Sequence, residues 1–87
     1  MDFFKLLCTL PDHSQMGMTG LLKSVPAWEL EHGSGWATVD LLACAAGLDA
    51  RANASTGTDW GDIRARHQNF ESAHFLRRVA ALREPGK

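Results

Sequence analysis

The strongest pattern along the chain is a long helical segment in its last third. Residues 59–83 begin with the acidic side chains of Asp59 and Asp62 and carry several arginines near their end, which is the order that the helix dipole favours. Its apolar face begins with Trp60, Ile63 and Phe70 and shifts around the helix towards Phe75, Val79 and Leu82. Leu76 lies outside this main stripe. So wide an apolar face predicts packing on more than one neighbour, or on a partner chain.

A second helix is predicted over residues 36–46. Its apolar residues recur at helical spacing, and Gly47 is well placed to end it in a left-handed conformation. Leu48 then suits the hydrophobic contact that accompanies such an ending. Residues 49–58 are rich in Asp, Asn, Ser, Thr and Gly, so we expect a loop there, with Thr56 or Thr58 capping the helix that follows.

The first third predicts shorter helices. Residues 2–10 have apolar residues at the i, i+3, i+4, i+7 spacing, and Pro11 ends that helix. Residues 14–24 repeat the spacing from Ser14 as a candidate cap, although two glycines weaken the helix by about 1 kcal/mol each.

Two structures remain open for residues 24–36. A helical turn could run from Pro26 to His32 and stop at Gly33, because proline suits the start of a helix. Alternatively, a small hairpin around 28–38 would flank the Gly33-Ser34-Gly35 turn. We favour the helical turn. The fold prediction is therefore an all-α bundle of three to four helices with a long C-terminal helix, and the alternative is α+β.

Composition is that of an ordinary small globular domain. The 87 residues, predicted to form a single domain over 1–87, are 45% hydrophobic and 22% charged, which is too apolar for a disordered chain. The formal net charge of −1 favours neither nucleic-acid nor membrane binding. No convincing signal peptide or membrane-spanning run is found, and Cys8 and Cys44 are expected to be buried and reduced. We therefore expect a cytoplasmic protein.

No catalytic or cofactor motif is recognisable. His67 and His74 are seven residues apart and share a helix face, but neither they nor the other histidines and cysteines have metal-ligand spacing. Ser34 lies in Gly-Ser-Gly without the strand and spacing of a nucleophile elbow. The prediction is a non-enzymatic protein without a metal ion or cofactor.

Residues 39–48 resemble the first helix and turn of a helix-turn-helix motif. Ala43 would be its small residue, and Gly47 falls at the turn. The resemblance then fails, because Asn53 and Thr56 occupy positions that the second helix should bury, and Gly57 would interrupt that helix. A DNA-binding regulator with a degenerate motif around 39–57 is therefore the alternative function, with Arg51, Arg64 and Arg66 as its candidate contacts.

The favoured function is a small protein–protein interaction module that acts through the last helix, such as an accessory, adaptor or inhibitor protein of bacterial or phage type. Trp and Arg are enriched where interfaces bind most strongly, so an exposed Trp would mark a binding surface. The candidate partner-binding residues are Trp60, Arg64, His67, His74, Arg77 and Arg78. The protein partner is of unknown identity, and a homodimer through the same helix is the companion hypothesis.

Overall fold

A computed structural model describes residues 3–10 and 17–83 and gives two long helices and three short ones. They are α1 (Phe3–Thr9), α2 (Gly17–Lys23), α3 (Val25–His32), α4 (Thr38–Ala54) and α5 (Trp60–Leu82), with a 3-10 turn at Gly33–Gly35. The predicted all-α class with a long C-terminal helix is confirmed. The expected helix boundaries at Asp2, Pro11 and Ser14 lie outside the described residues.

The core lies between α4, the second half of α5 and the short helices. On α4, the buried side chains recur every three to four residues, so they form one face. That face packs on α5, whose Ala73, Leu76 and Val79 are completely buried. The remaining members of the core are Leu6, Val25, Trp28, Leu41, Cys44, Ala45, Leu48 and Phe75.

The hairpin around 28–38 is wrong. Residues 25–32 are helical, with a proline in the first turn as the sequence suggests, and none of residues 17–83 lies in a strand. Trp28 is buried and meets the edge of Phe75 at a centroid distance of 5.8 Å. Its indole Nε1 donates a hydrogen bond to Thr9 Oγ1 on α1. The helix therefore directs Trp28 into the core, where it connects α1, α3 and α5.

The predicted end of α4 at Gly47 is also wrong. The helix continues to Ala54, so the loop before α5 has only five residues, 55–59. Gly47 is exposed, whereas Leu48 and Ala52 beyond it are buried against the core. Burying those two side chains outweighs the roughly 1 kcal/mol that glycine costs inside a helix. Tertiary packing of Leu48 and Ala52 thus keeps α4 helical beyond Gly47.

Replacing Gly47 should stabilise the protein. A methyl group added at Gly47 would meet nothing within 4 Å, and the position lies in a helix interior. We expect Gly47→Ala to raise the free energy of unfolding by about 0.5–1 kcal/mol, because alanine loses less backbone entropy than glycine on folding. Urea denaturation followed by circular dichroism would measure the gain. A loss of stability would mean that α4 ends near residue 47.

Arg83 fastens the end of α5 to three earlier segments. Its Nε and Nη2 donate to the two carboxylate oxygens of Glu29 at 2.7 and 2.9 Å. Nη2 also donates to the carbonyl of Gly33 at 2.6 Å, and Nη1 donates to the carbonyl of Trp36 at 2.7 Å and to Thr38 Oγ1 at 3.3 Å. A Cβ at Gly33 would crowd the Glu29 carboxylate, so a larger residue there would displace one side of this ion pair.

Candidate docking surface on the last helix

The first half of α5 extends beyond the core. Asp59 caps the helix by accepting a hydrogen bond from the backbone N–H of Asp62 at 2.9 Å, so the predicted caps Thr56 and Thr58 are wrong. The first buried residue of α5 is Glu71, although the helix begins at Trp60. About half of α5 therefore lies outside the main core.

The geometry of the two long helices explains this projection. Arg77 and Asp49 form an ion pair, which shows that the middle of α5 lies beside the second half of the antiparallel helix α4. Five extended residues, 55–59, span about 16 Å, and so do the 11 helical residues 60–70. The loop is therefore long enough to run beside residues 60–70 of α5, from the end of α4 to the start of α5. Helix α4 itself does not reach those residues.

Contacts between the loop and α5 support this path. The Arg66 Nη2 donates to the carbonyl oxygen of Gly57 at 2.5 Å, which ties the middle of the loop to the second turn of α5. A Cβ at Gly57 would crowd the Asp62 carboxylate, so the loop passes close to the first turn as well. One side of the projecting helix is therefore covered by the loop, and another side, about 100° further around the helix, is left open.

The open side carries a row of apolar and aromatic residues, which we call the outer stripe. It consists of Trp60, Ile63, His67, Phe70 and His74. At 100° per residue, the centre of this stripe lies about 170° around the helix from the centre of the buried face formed by Ala73, Phe75, Leu76, Val79 and Ala80. The helix thus presents two apolar faces in opposite directions.

This arrangement corrects the sequence-based view of one wide face. Leu76, which the pattern left off the main line, is completely buried, whereas Trp60 is 84% exposed. Ile63 and Phe70 are 42% and 41% exposed, although their spacing suggested a continuation of the core. Large exposed apolar side chains in one row on a small protein are typical of an interaction site.

A polar contact lies beside the centre of the outer stripe. Glu71 is buried, and its Oε1 lies 2.5 Å from Nε2 of the exposed His67, one helical turn away. The imidazole of His67 therefore has a carboxylate partner on its own helix, while the ring itself remains largely exposed. His74, one further turn along, is exposed.

Five of the six predicted partner-binding residues lie on or beside the outer stripe, whereas Arg77 points towards α4, where it pairs with Asp49. Trp60, His67 and His74 belong to the outer stripe, and Arg64 lies beside its first half. Arg78 lies at its C-terminal end, and both Arg77 and Arg78 are exposed. Arg77 is held by Asp49, whereas Arg78 has no hydrogen bond or ion pair with the residues that the structure describes.

The three arginines proposed for DNA contact are not brought together on one side of α5. Arg64 and Arg66 are two residues apart and point about 160° away from each other, and Arg66 is held by the loop. Arg51 lies on α4, in a cleft beside α1. Residues 38–54 form one helix, so the turn that a helix-turn-helix around 39–57 requires is missing.

The cysteines do not contribute to the outer stripe. Cys8 is exposed, so the prediction that it is buried is wrong, while Cys44 is buried as expected, and both thiols are free. Burial raises the pKa of the Cys44 thiol, and nearby Arg51 partly opposes this effect. Cys44 and Arg51 line an apolar cleft of about 190 Å³ between α1 and α4, away from His67 and His74.

Within residues 3–10 and 17–83, no three His, Cys, Asp or Glu side chains are grouped so that they could hold a metal ion. His13, another histidine of the chain, lies outside those ranges. In the same part of the chain, every helix is too short or too polar to cross a membrane. Comparison of the chain with protein-family models, curated proteins and solved structures gives no match.

Proposed function

We propose that this is a small non-enzymatic protein–protein interaction module, of the accessory, adaptor or inhibitor kind, and that the outer stripe is its docking surface. The observation that carries the proposal is the exposure of Trp60, Ile63 and Phe70 on the side of α5 opposite its core face. Leaving a Trp side chain 84% exposed gains nothing for folding, since its apolar surface stays in water.

The shape and chemistry of the surface favour a helical partner segment. The outer stripe is a straight row on a projecting helix, with spacings of three and four residues, and such a row packs well against the apolar face of another helix. Arg64 beside the row adds a positive charge at its rim. We therefore expect an amphipathic helix with acidic residues on one flank of its apolar face.

A site-specific photocrosslink tests the proposal. Phe70 would be replaced by p-benzoylphenylalanine, which conserves its aromatic ring, and a matched control would carry the same group at the exposed Ala43 on the outer side of α4. After irradiation in a lysate of the source cells, we expect a discrete adduct from position 70 that excess unlabelled protein suppresses. The crosslinked peptide should map to an amphipathic helix of the partner.

Binding to the purified partner then supplies the decisive measurement. We expect Trp60→Ala to weaken the affinity by at least about 30-fold, equivalent to about 2 kcal/mol, because large aromatic side chains dominate such interfaces. An exposed control substitution on α4, Ala43→Ser, should leave the affinity unchanged. The proposal would be overturned by identical adducts from positions 70 and 43, or by a partner that binds wild type and Trp60→Ala equally.

A further inference from the structure

The charges along the outer stripe are arranged so that the surface complements itself. Its N-terminal end carries the exposed Asp59, and its C-terminal end carries Arg77 and Arg78, which are also exposed. Two copies of α5 that run antiparallel bring the acidic end of each against the basic end of the other. Two copies in parallel would place like charges together instead.

In one antiparallel register, the apolar residues of the two stripes face each other and the charged ends of opposite sign lie together. If the dyad passes between positions 68 and 69, Ile63 of one copy faces His74 of the other, and His67 faces Phe70. The dyad relates each flank of the helix to the same flank in the second copy. Asp59, which also caps its own helix, then lies beside Arg77, which also pairs with Asp49 of its own copy, and Trp60 meets Arg78 on the other flank.

A cleft lies where this register directs the indole of Trp60. Arg78 forms one wall of an open cleft of about 260 Å³, whose other residues are Leu22, Val25, Pro26, Ala81 and Leu82. By helical geometry, Arg78, Ala81 and Leu82 point to the same side of α5 as the outer stripe. The cleft offers apolar contacts to an indole ring, and the guanidinium of Arg78 is placed to stack on its face.

We propose that the protein forms an antiparallel homodimer through the outer stripe, in which Trp60 of each copy enters the cleft beside Arg78 of the other. This inference rests on the proposal that the stripe is a docking surface, and it adds a second copy of the chain as an occupant that competes with any other protein partner. One helix face and one cleft per copy form a small interface, and we expect the dimer to dissociate in the micromolar range.

Sedimentation equilibrium from 1 to about 500 μM tests the association. We expect wild type to shift from monomer to dimer across this range, and Trp60→Ala and Arg78→Ala each to raise the dissociation constant at least tenfold. Because the two side chains contact each other, the double variant should be hardly weaker than the single ones. Ala43→Ser is the matched control and should dimerise like wild type. A monomer at every concentration would overturn the dimer.

Disulfide trapping tests the register. On a Cys8→Ser background, Ile63→Cys and His74→Cys variants would be mixed under mild oxidation, and each would also be oxidised alone. The proposed register pairs the two positions, whereas equivalent positions lie about 16 Å apart along the helix. We therefore expect only the mixed disulfide. Rapid self-crosslinking of Ile63→Cys would overturn the antiparallel arrangement.

These outcomes separate the dimer from the docking function. A monomeric wild type overturns the homodimer alone, because the photocrosslink at position 70 still reports on a different protein partner. Conversely, a trapped antiparallel dimer without an adduct to any other protein supports the dimer and contradicts the heterologous partner.

Discussion

Replacing Arg83 by methionine should lower the free energy of unfolding by about 2–4 kcal/mol, because the change leaves the carboxylate of Glu29 and two backbone carbonyls without their donor. Both side chains of the ion pair are largely covered, at 17% and 25% exposure, so water replaces the lost contacts only in part. Methionine keeps much of the side-chain volume, so the loss reports on the hydrogen bonds rather than on packing.

Urea denaturation followed by circular dichroism, at a few micromolar protein, would measure this loss. Arg83→Lys should recover less than half of it, since one ammonium group cannot reproduce the fork that binds both oxygens of Glu29. Arg64→Met is the matched control on an exposed position of the same helix and should change stability by less than about 0.5 kcal/mol. Equal losses for Arg83→Met and Arg64→Met would show that the arginine does not hold the end of α5.

The role of Arg83 also shows what the sequence alone does not reveal. From the pattern, Arg83 is one of several basic residues that suit the end of a helix. Its partners lie 45 to 54 residues earlier in the chain, and no local spacing indicates which of the arginines will reach them. Gly33 reads as a helix stop, and its second task, making room for the ion pair, follows only from tertiary contacts.

Local signals predicted the existence and approximate position of the helices better than their caps and ends. The long last helix, its acidic start and the short helix with Pro26 in its first turn all follow from nearby residues. The prediction that α4 ends at Gly47 was wrong because glycine often ends a helix, whereas here Leu48 and Ala52 beyond it lie on the same buried face of α4. Glycine lowers helix stability by only about 1 kcal/mol, and the burial of those side chains outweighs it. Which side chains are buried depends on tertiary packing, so the local sequence does not reveal it.

The sequence predicted some residues of the candidate surface, but it assigned Ile63 and Phe70 to the core and did not predict the geometry of the surface. Trp60, His67 and the arginines follow from the sequence, because aromatic and basic side chains share one side of a helix there. The separation into a buried face and an outer stripe depends on where α4 stops relative to α5. That offset depends on how the buried faces of α4 and α5 pack and on the path of a five-residue loop, neither of which the hydrophobic pattern of one helix contains.

The separation of the two faces leads to the second large expected effect. Leu76→Ala should lower the free energy of unfolding by about 2–5 kcal/mol, because Leu76 is completely buried and its removal leaves a cavity in a close-packed core. Trp60→Ala removes a larger apolar side chain from the same helix, yet it should change stability by less than about 0.5 kcal/mol, because that side chain is already mostly in water.

Both variants would be compared with wild type by urea denaturation at one low protein concentration, so that association does not add to the measured stability. If α5 had a single wide core face, the two substitutions would destabilise the protein to a similar extent, and Trp60→Ala would have the larger effect because it removes more apolar area. A loss confined to Leu76→Ala, together with a loss of binding confined to Trp60→Ala, would assign folding to one side of α5 and recognition to the other.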